Sequence, residues 1–327
     1  MKRSDFLAMW DPADISYNSG FIVVKPTPLS VRVYNLMQQI TSRSKDLNDQ
    51  QALNKAINSL KGQYSWTSIG FLDKHVYACG QVYFERMKRL LPRADDPCSS
   101  VSKINCTVLV VHNNWIYSKE AKIYRFREHL MWLYDEEDRY YSSNTRKYIT
   151  YVNPPLAESN ITLSIRVAKE MTTRQVSGLR TALSIGSLLN RTVILPKFYC
   201  GTKAFQCPLN SLVHIRTLDT FFSKQYRESS FLQHPRVPDT VKQSVSNYEL
   251  VRHTTRWSLE NNVSLKTITS NDIIRLFQNS EIRVINYGIL DGIQVIFRND
   301  SVGNVFKERI RRGIRLSDYR QQKILEF

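Results

Sequence analysis

Apolar and polar residues follow two rhythms along this chain of 327 residues. Short apolar runs bounded by Gly, Pro or polar clusters predict strands. Longer stretches with an apolar residue at every third or fourth position predict helices. Phe21-Ile22-Val23-Val24 reads as a buried strand, closed by Pro26 and Pro28. Thr27 is placed to cap a helix with Pro28 at its first position, and Val31, Tyr34, Met37 and Ile40 would be its stripe. A second helix starts near Asp49, with Leu53, Ile57 and Leu60 on one face. A carboxylate is electrostatically favoured at that end. Lys103 to Val111 reads as another buried strand, ending at His112, and Arg125 to Tyr134 as a short amphipathic helix.

Residues 135–160 are polar, then Tyr-rich, then broken by Pro154-Pro155, which marks a hinge. Asp135-Glu136-Glu137-Asp138 reads as a solvated run. Beyond the hinge, Ile161 to Val167 predicts a strand, Thr173 to Leu189 a helix and Thr192 to Leu195 a strand. Such a βαβ unit calls for a parallel sheet. The expected fold class is α/β, in two domains, residues 1–153 and 154–327.

A hydrophobic content of 42% supports a sizeable core and argues against global disorder. No apolar run approaches the roughly 18 residues of a membrane span. The first 20 residues show no apolar segment of a secretory signal, so no targeting segment is visible. The formal charge of +17 suits an anionic partner: nucleic acid, acidic lipid or the phosphates of a sugar nucleotide. The densest patch is Lys307 to Arg320. No zinc-finger, RNA-binding or helix-turn-helix signature accompanies it, so nucleic acid is not the expected partner. The cysteines, Cys79, Cys98, Cys106, Cys200 and Cys207, have no CxxC spacing, which argues against zinc. Cys200 and Cys207 are close enough to bridge in an oxidising compartment. Sequons at Asn105, Asn160, Asn190, Asn262 and Asn299 are a weak pointer to a lumenal chain.

Three motifs follow one another in the first half. Asn18-Ser19-Gly20-Phe21 precedes a strand and Pro26, Asn48-Asp49-Gln50-Gln51 opens a helix, and Val111-His112-Asn113-Asn114-Trp115 leads to Lys122 and Arg125. In that order they resemble the nucleotide-diphospho-sugar transferase family, whose members include plant Golgi arabinosyltransferases that act on cell-wall proteins. In the second half, GLRTALSIGSLLNRTVILPKFYCG, FQCPLNSLVHI and YRESSFLQHPRVP are similar to the C-terminal part of those plant enzymes.

The resemblance implies the C-terminal part of a Rossmann-like, GT-A type domain, followed by a second α/β domain. It implies a glycosyltransferase that moves a sugar from a nucleotide-diphospho-sugar to a hydroxyl of a protein or glycan. Asp49 and Gln50 would be catalytic, on the acceptor side. Asn18, Ser19, Gly20, Asn114 and Lys122 would bind the donor, and His112 would hold a divalent metal, manganese, on the diphosphate. By their own chemistry, Gly20 permits close backbone approach and Asn18 and Ser19 supply hydrogen bonds. The same residues also suit a plain turn into a strand, Asp49 a helix cap, and His112 a structural place at a strand end. Ser118 stands where the family often has glycine, so a different loop geometry is expected. Gln175, Gly178-Leu179-Arg180 and Leu189 to Thr192 are similar to the first βαβ unit of fucosyltransferase-like folds, where the helix start faces a phosphate.

The family's Asp-x-Asp on a preceding strand, two carboxylates able to reach one cation, has no counterpart in this chain. The metal's ligand set is therefore incomplete. The chain is expected to be an N-terminally truncated member, Golgi lumenal or membrane-bound when complete, and weak or inactive alone. The alternative is a non-catalytic module that binds glycans or a partner transferase.

Overall fold

The computed structural model describes residues 4–12, 16–44, 46–64, 68–87, 107–135, 139–153, 163–201, 205–248, 266–278, 280–290, 293–297 and 301–316. The chain divides into two compact units, Met1–Tyr117 and Ser118–Phe327, so the division falls upstream of the Tyr-rich segment. Both units are mixed α/β and both contain parallel strand pairs.

In the first unit, β1 (Phe6–Asp11) pairs antiparallel with β2 (Ser16–Val24) and parallel with β3 (Ile69–Phe71). Helices α1 (Pro28–Arg43) and α2 (Asp49–Ser59) lie between β2 and β3 in the chain. A separate parallel pair joins β4 (Tyr77–Cys79) to β5 (Val110–His112). Thr27 caps α1 as predicted, in a reciprocal box with Ser30. The stripe of α1 holds at Met37 and Ile40, which pack on the core cluster, but not at its start: Val31 is 56% exposed, while Leu29 and Val33 are buried in that cluster with Phe6, Ala8, Leu53 and Ile57. Helix α2 matches its prediction, with Leu53, Ile57 and Leu60 buried. Each such burial contributes roughly 1.5–3 kcal/mol. The strand at Phe21 to Val24 is real, but Val23 and Val24 are exposed because β2 is the edge of its sheet. Strand β5 starts only at Val110, and Leu109 is exposed; residues 103–106 lie outside the described residues.

In the second unit, α3 (Lys119–Glu128) sits earlier than the helix expected over Arg125 to Tyr134. Ser118 caps its start, and the chain turns away beyond it, with Leu130 at φ 57°. Strand β6 (Tyr148–Val152), helix α4 (Ile165–Leu189) and strand β7 (Thr192–Ile194) form the βαβ unit. Its first strand is therefore the Tyr-rich segment and not Ile161 to Val167. Ser164 accepts the Val167 N–H and so draws Ile165 and Val167 into the helix, where both are exposed.

The chain continues through the hairpin β8 (Phe198–Cys200) and β9 (Phe205–Cys207), closed by a Cys200–Cys207 disulfide, then α5 (Ile215–Phe222) and β10 (Tyr226–Arg227). After them come α6 (Asp239–Lys242), β11 (Val245–Asn247), β12 (Lys266–Thr269), α7 (Ser270–Phe277), β13 (Val284–Ile289), β14 (Ile293–Ile296) and α8 (Ser301–Gly313). The main sheet runs β10-β7-β6-β13-β11, parallel throughout. Tyr148, Ile149, Val193, Val284 and Ile285 fill its centre. In an all-parallel sheet both faces are covered, so its strands need not alternate.

Charged residues of both runs take structural roles. Asp135 accepts the Tyr141 N–H at 2.8 Å and so belongs to a turn, while residues 136–138 of its run lie outside the described residues. On α8, Arg309 donates to the Phe221 carbonyl and lies over the Phe222 ring, while Arg311 grips Glu308 with two nitrogens.

Ser118 takes φ 74° and ψ 152°, a region that L side chains rarely enter. The serine thus stands in a backbone conformation that glycine adopts without strain. Ser118→Gly should therefore stabilise the chain by about 1–2 kcal/mol. The capping bond to the Ala121 N–H is 3.3 Å long, and exchanging such a cap for glycine costs only a few tenths of a kcal/mol. Urea denaturation measures it, and a destabilised variant would sink the strain argument.

Candidate functional site

The Asn-Ser-Gly-Phe motif is a β-bulge. Ala8 pairs with Ile22, but the next residue, Met9, pairs with Asn18, so Ser19, Gly20 and Phe21 have no opposite residue on β1. In a regular strand Asn18 and Ile22, four apart, would share a face. The bulge puts them on opposite faces, because their partners are neighbours. Asn18 is thereby turned to the face of Met9 and Asp11 and is buried with them.

Asp11 is the hub of the contacts around this bulge. Its Oδ2 accepts from the side-chain amides of Asn18, at 2.9 Å, and Gln50, at 3.2 Å. The Asn18 side-chain oxygen, Oδ1, accepts the Gly20 N–H at 2.8 Å, which closes the turn of the bulge. Ser19 donates its hydroxyl to Asp49 at 2.7 Å. Phe21 stacks on Tyr77 and packs with Met9, Ala78 and Cys79. Asn54 ties α2 to β2: its amide donates to the Tyr17 carbonyl, and its oxygen accepts the Tyr17 N–H. Asn48 and Gln51 form the capping box that sets where α2 begins. Each residue of the second motif therefore has a stated position, and Asp49 and Gln50 reach the bulge side by side.

His112 ends β5, opposite Cys79. A Cβ on Gly20 would lie 2.3 Å from the His112 Nε2. The open side of Gly20 is thus filled by imidazole. Asn114 accepts the Gly80 N–H at 2.7 Å and so ties the end of β5 to the end of β4. Lys122 is an exposed residue of α3, in the second unit. Of the predicted site residues, the structure brings together Asn18, Ser19, Asp49 and Gln50 by hydrogen bonds and Gly20 with His112 by contact.

Close fit makes a double-mutant prediction. Gly20→Ala should cost about 1–3 kcal/mol by overpacking, and His112→Ala should recover at least half of that loss. Additive effects in denaturant would show that the two residues do not share this space.

Asp11 and Asn54 are functional candidates that sequence reasoning missed. The signal for Asp11 was a lone carboxylate ending the apolar run Phe6 to Trp10, immediately before Pro12. Among the described residues no three or more His, Cys, Asp or Glu side chains form a metal-holding group. His112 packs on Gly20 and Asp11 is engaged by two amides, so these residues do not fit a divalent metal by themselves.

The second unit holds a buried charged cluster. Arg227 and Glu228 are wholly buried. The Tyr140 ring lies between two guanidinium groups, Arg127 at 3.7 Å and Arg227 at 3.8 Å, and its hydroxyl donates to Glu228 at 2.7 Å. Burial first, and Glu228 second, push the Glu128 carboxyl up to about 8, against the pull of Arg125 and Lys197. Burial also raises the Glu228 carboxyl. Gln175, by contrast, lies inside α4 and not at its start. Its amide pairs with both backbone groups of Tyr199, and Asn153 donates to it, which pins the β8 segment to the helix.

Residues 2–126 match the nucleotide-diphospho-sugar transferase family. A curated relative, the arabinosyltransferase XEG113 of Arabidopsis thaliana, is 21% identical over 359 aligned positions, which cover 95% of this chain and 53% of that protein. The chain thus spans about half the length of the curated relative it matches. No solved structure matches it significantly. Over residues 2–126, this chain is similar to the nucleotide-diphospho-sugar transferase family.

Proposed function

We propose that the chain is part of a glycosyltransferase that moves a sugar from a nucleotide-diphospho-sugar to a hydroxyl of a protein or glycan. The carrying observation is the clamp at Asp11, which holds Asn18 of one motif and Gln50 of another against a single buried oxygen. In this reading the first unit is the C-terminal part of a Rossmann-like, GT-A type domain. Asp49 is exposed, and its hydrogen bond from Ser19 is at Oδ2. The other oxygen, Oδ1, accepts from the acceptor hydroxyl, and the carboxylate orients that hydroxyl or takes its proton as the bond to the sugar forms. Gln50, fixed by Asp11, positions the sugar beside it. Asn18, Ser19 and the Gly20 backbone line the donor side, with Asn114 as a polar contact. His112 shapes the site by holding the bulge open. A metal on the diphosphate would neutralise the leaving group; no step is assigned to it, because the described residues do not form its site.

An arabinosyl donor follows from the Arabidopsis relative's name and is the first to try. A Golgi lumenal setting suits the Cys200–Cys207 disulfide, which persists in oxidising compartments. Transfer is measured with a panel of nucleotide sugars and peptide or glycan acceptors. Asp49→Asn should lower kcat about 100-fold or more while donor binding is kept. Unchanged turnover in that variant would remove Asp49 from the mechanism, and failure to bind any nucleotide sugar would overturn the reading.

A further inference from the structure

We infer that Asn190 carries an N-linked oligosaccharide and receives it before the parallel sheet of the second unit closes. The inference rests on the lumenal setting proposed above, where a lipid-linked diphosphate donates such oligosaccharides to sequon asparagines.

Asn190-Arg191-Thr192 is the sequon that lies within the described residues. Asn190 follows the last residue of α4 and caps it in the left-handed conformation, at φ 50° and ψ 45°. Glycine and asparagine are the usual residues at such a cap, and of the two only asparagine can take a glycan. Its side chain is exposed and makes no hydrogen bond among the described residues, so a substituent on Nδ2 displaces no contact there. The turn from α4 into β7 lies where the strands of the main sheet begin, because that sheet is parallel throughout. In open parallel sheets ligands gather at the opposite edge, outside the carboxyl ends of the strands. An oligosaccharide on Asn190 leaves that edge clear.

The other two residues of the sequon fix the timing. Arg191 is buried, and its guanidinium donates to the carbonyls of Ile282, at 2.6 Å, Ser280, at 2.8 Å, and Tyr148, at 3.4 Å. Thr192 is buried too. It donates its hydroxyl to the Lys224 carbonyl at 3.4 Å and opens β7, which runs between β6 and β10. The modifying enzyme reads the threonine together with the asparagine. In the fold it reaches only the asparagine, so transfer precedes the pairing of β7. In that step Asn190 Nδ2 bonds to C1 of the first sugar as the bond from C1 to the lipid diphosphate breaks. The lipid diphosphate leaves, and the amide gives up one proton to solvent.

Translation of the full chain behind a cleavable secretion signal, with microsomes present, tests both parts. Chains protected inside the microsomes are digested and treated with peptide N-glycosidase in heavy-oxygen water, which leaves a labelled aspartate wherever a glycan stood. Mass spectrometry should find that label at position 190 in most of them. Asn190→Gly, which keeps the left-handed cap, should run one glycan faster on a gel with its melting temperature kept. The folded chain, offered to solubilised oligosaccharyltransferase with the same donor, should stay bare at Asn190. Protected chains without the label overturn the assignment, and a folded chain modified as fully as the nascent one overturns the order of events. Neither readout involves sugar transfer by this chain, so a failed transferase assay leaves both intact.

Discussion

Glu128→Gln should make the chain more stable at pH 8 and leave it unchanged at pH 4. The carboxyl is raised to about 8 in the folded chain, by burial and by Glu228. A group raised in this way is neutral in the fold and ionised in the unfolded chain over most of that range. Its stability contribution is complete below the ordinary carboxyl value and is lost as pH rises through the folded one. At pH 8 the wild-type penalty is on the order of 3 kcal/mol, from about 1.4 kcal/mol for every tenfold change in proton affinity, reduced for partial solvent access. Glutamine keeps the shape and removes the proton equilibrium. Thermal melts from pH 4 to pH 9 should show the variant gaining roughly 6–12 °C at the alkaline end. Parallel curves for variant and wild type would show that Glu128 is not held neutral.

Arg227→Met should cost roughly 3–5 kcal/mol, the range for breaking a buried charged network. Arg227 donates to the carbonyls of Tyr226, at 2.8 Å, Lys224, at 3.2 Å, and Tyr140, at 3.4 Å. It also covers the Tyr140 ring and lies over Phe231. Methionine fills the space but leaves the carbonyls without their donor. It also removes a positive charge close to the ring that hydrogen-bonds Glu228. Arg227→Lys should recover less than half of the loss, because an ammonium cannot span three carbonyls and stack on a ring. Guanidinium denaturation measures both, and a loss below about 1 kcal/mol for the methionine variant would contradict the assignment.

What could be read from the sequence was mostly local. The α2 start was legible because a cap and an apolar stripe coincide within a dozen residues of Asn48. The βαβ unit was legible through α4 and β7. Its first strand was not, because Tyr148 and Tyr151 read as polar, yet both are buried in a parallel sheet covered on both faces. The stripe of α1 was legible at Met37 and Ile40 but misread at its start, since Val31 and Val33 are equally apolar and only packing against Phe6 and Ala8 chooses between them. The site residues were legible as motifs, but their relations were not. Asp11 takes part through contacts to residues 7 and 39 positions away, which no local pattern records. Its strand, β1, had drawn no prediction at all.

The bulge in β2 has a consequence for how this site tolerates change in length. The three unpaired residues are an odd number, so strict alternation would carry Asn18 to the Ile22 side, and the distorted backbone of the bulge is what turns it toward Asp11. With one residue fewer or one more between Asn18 and Ile22, plain alternation would itself put Asn18 on the Asp11 side, and the turn that seats Ser19 and Gly20 would be lost or reshaped. The length of this segment is therefore set by the turn as well as by the facing of Asn18.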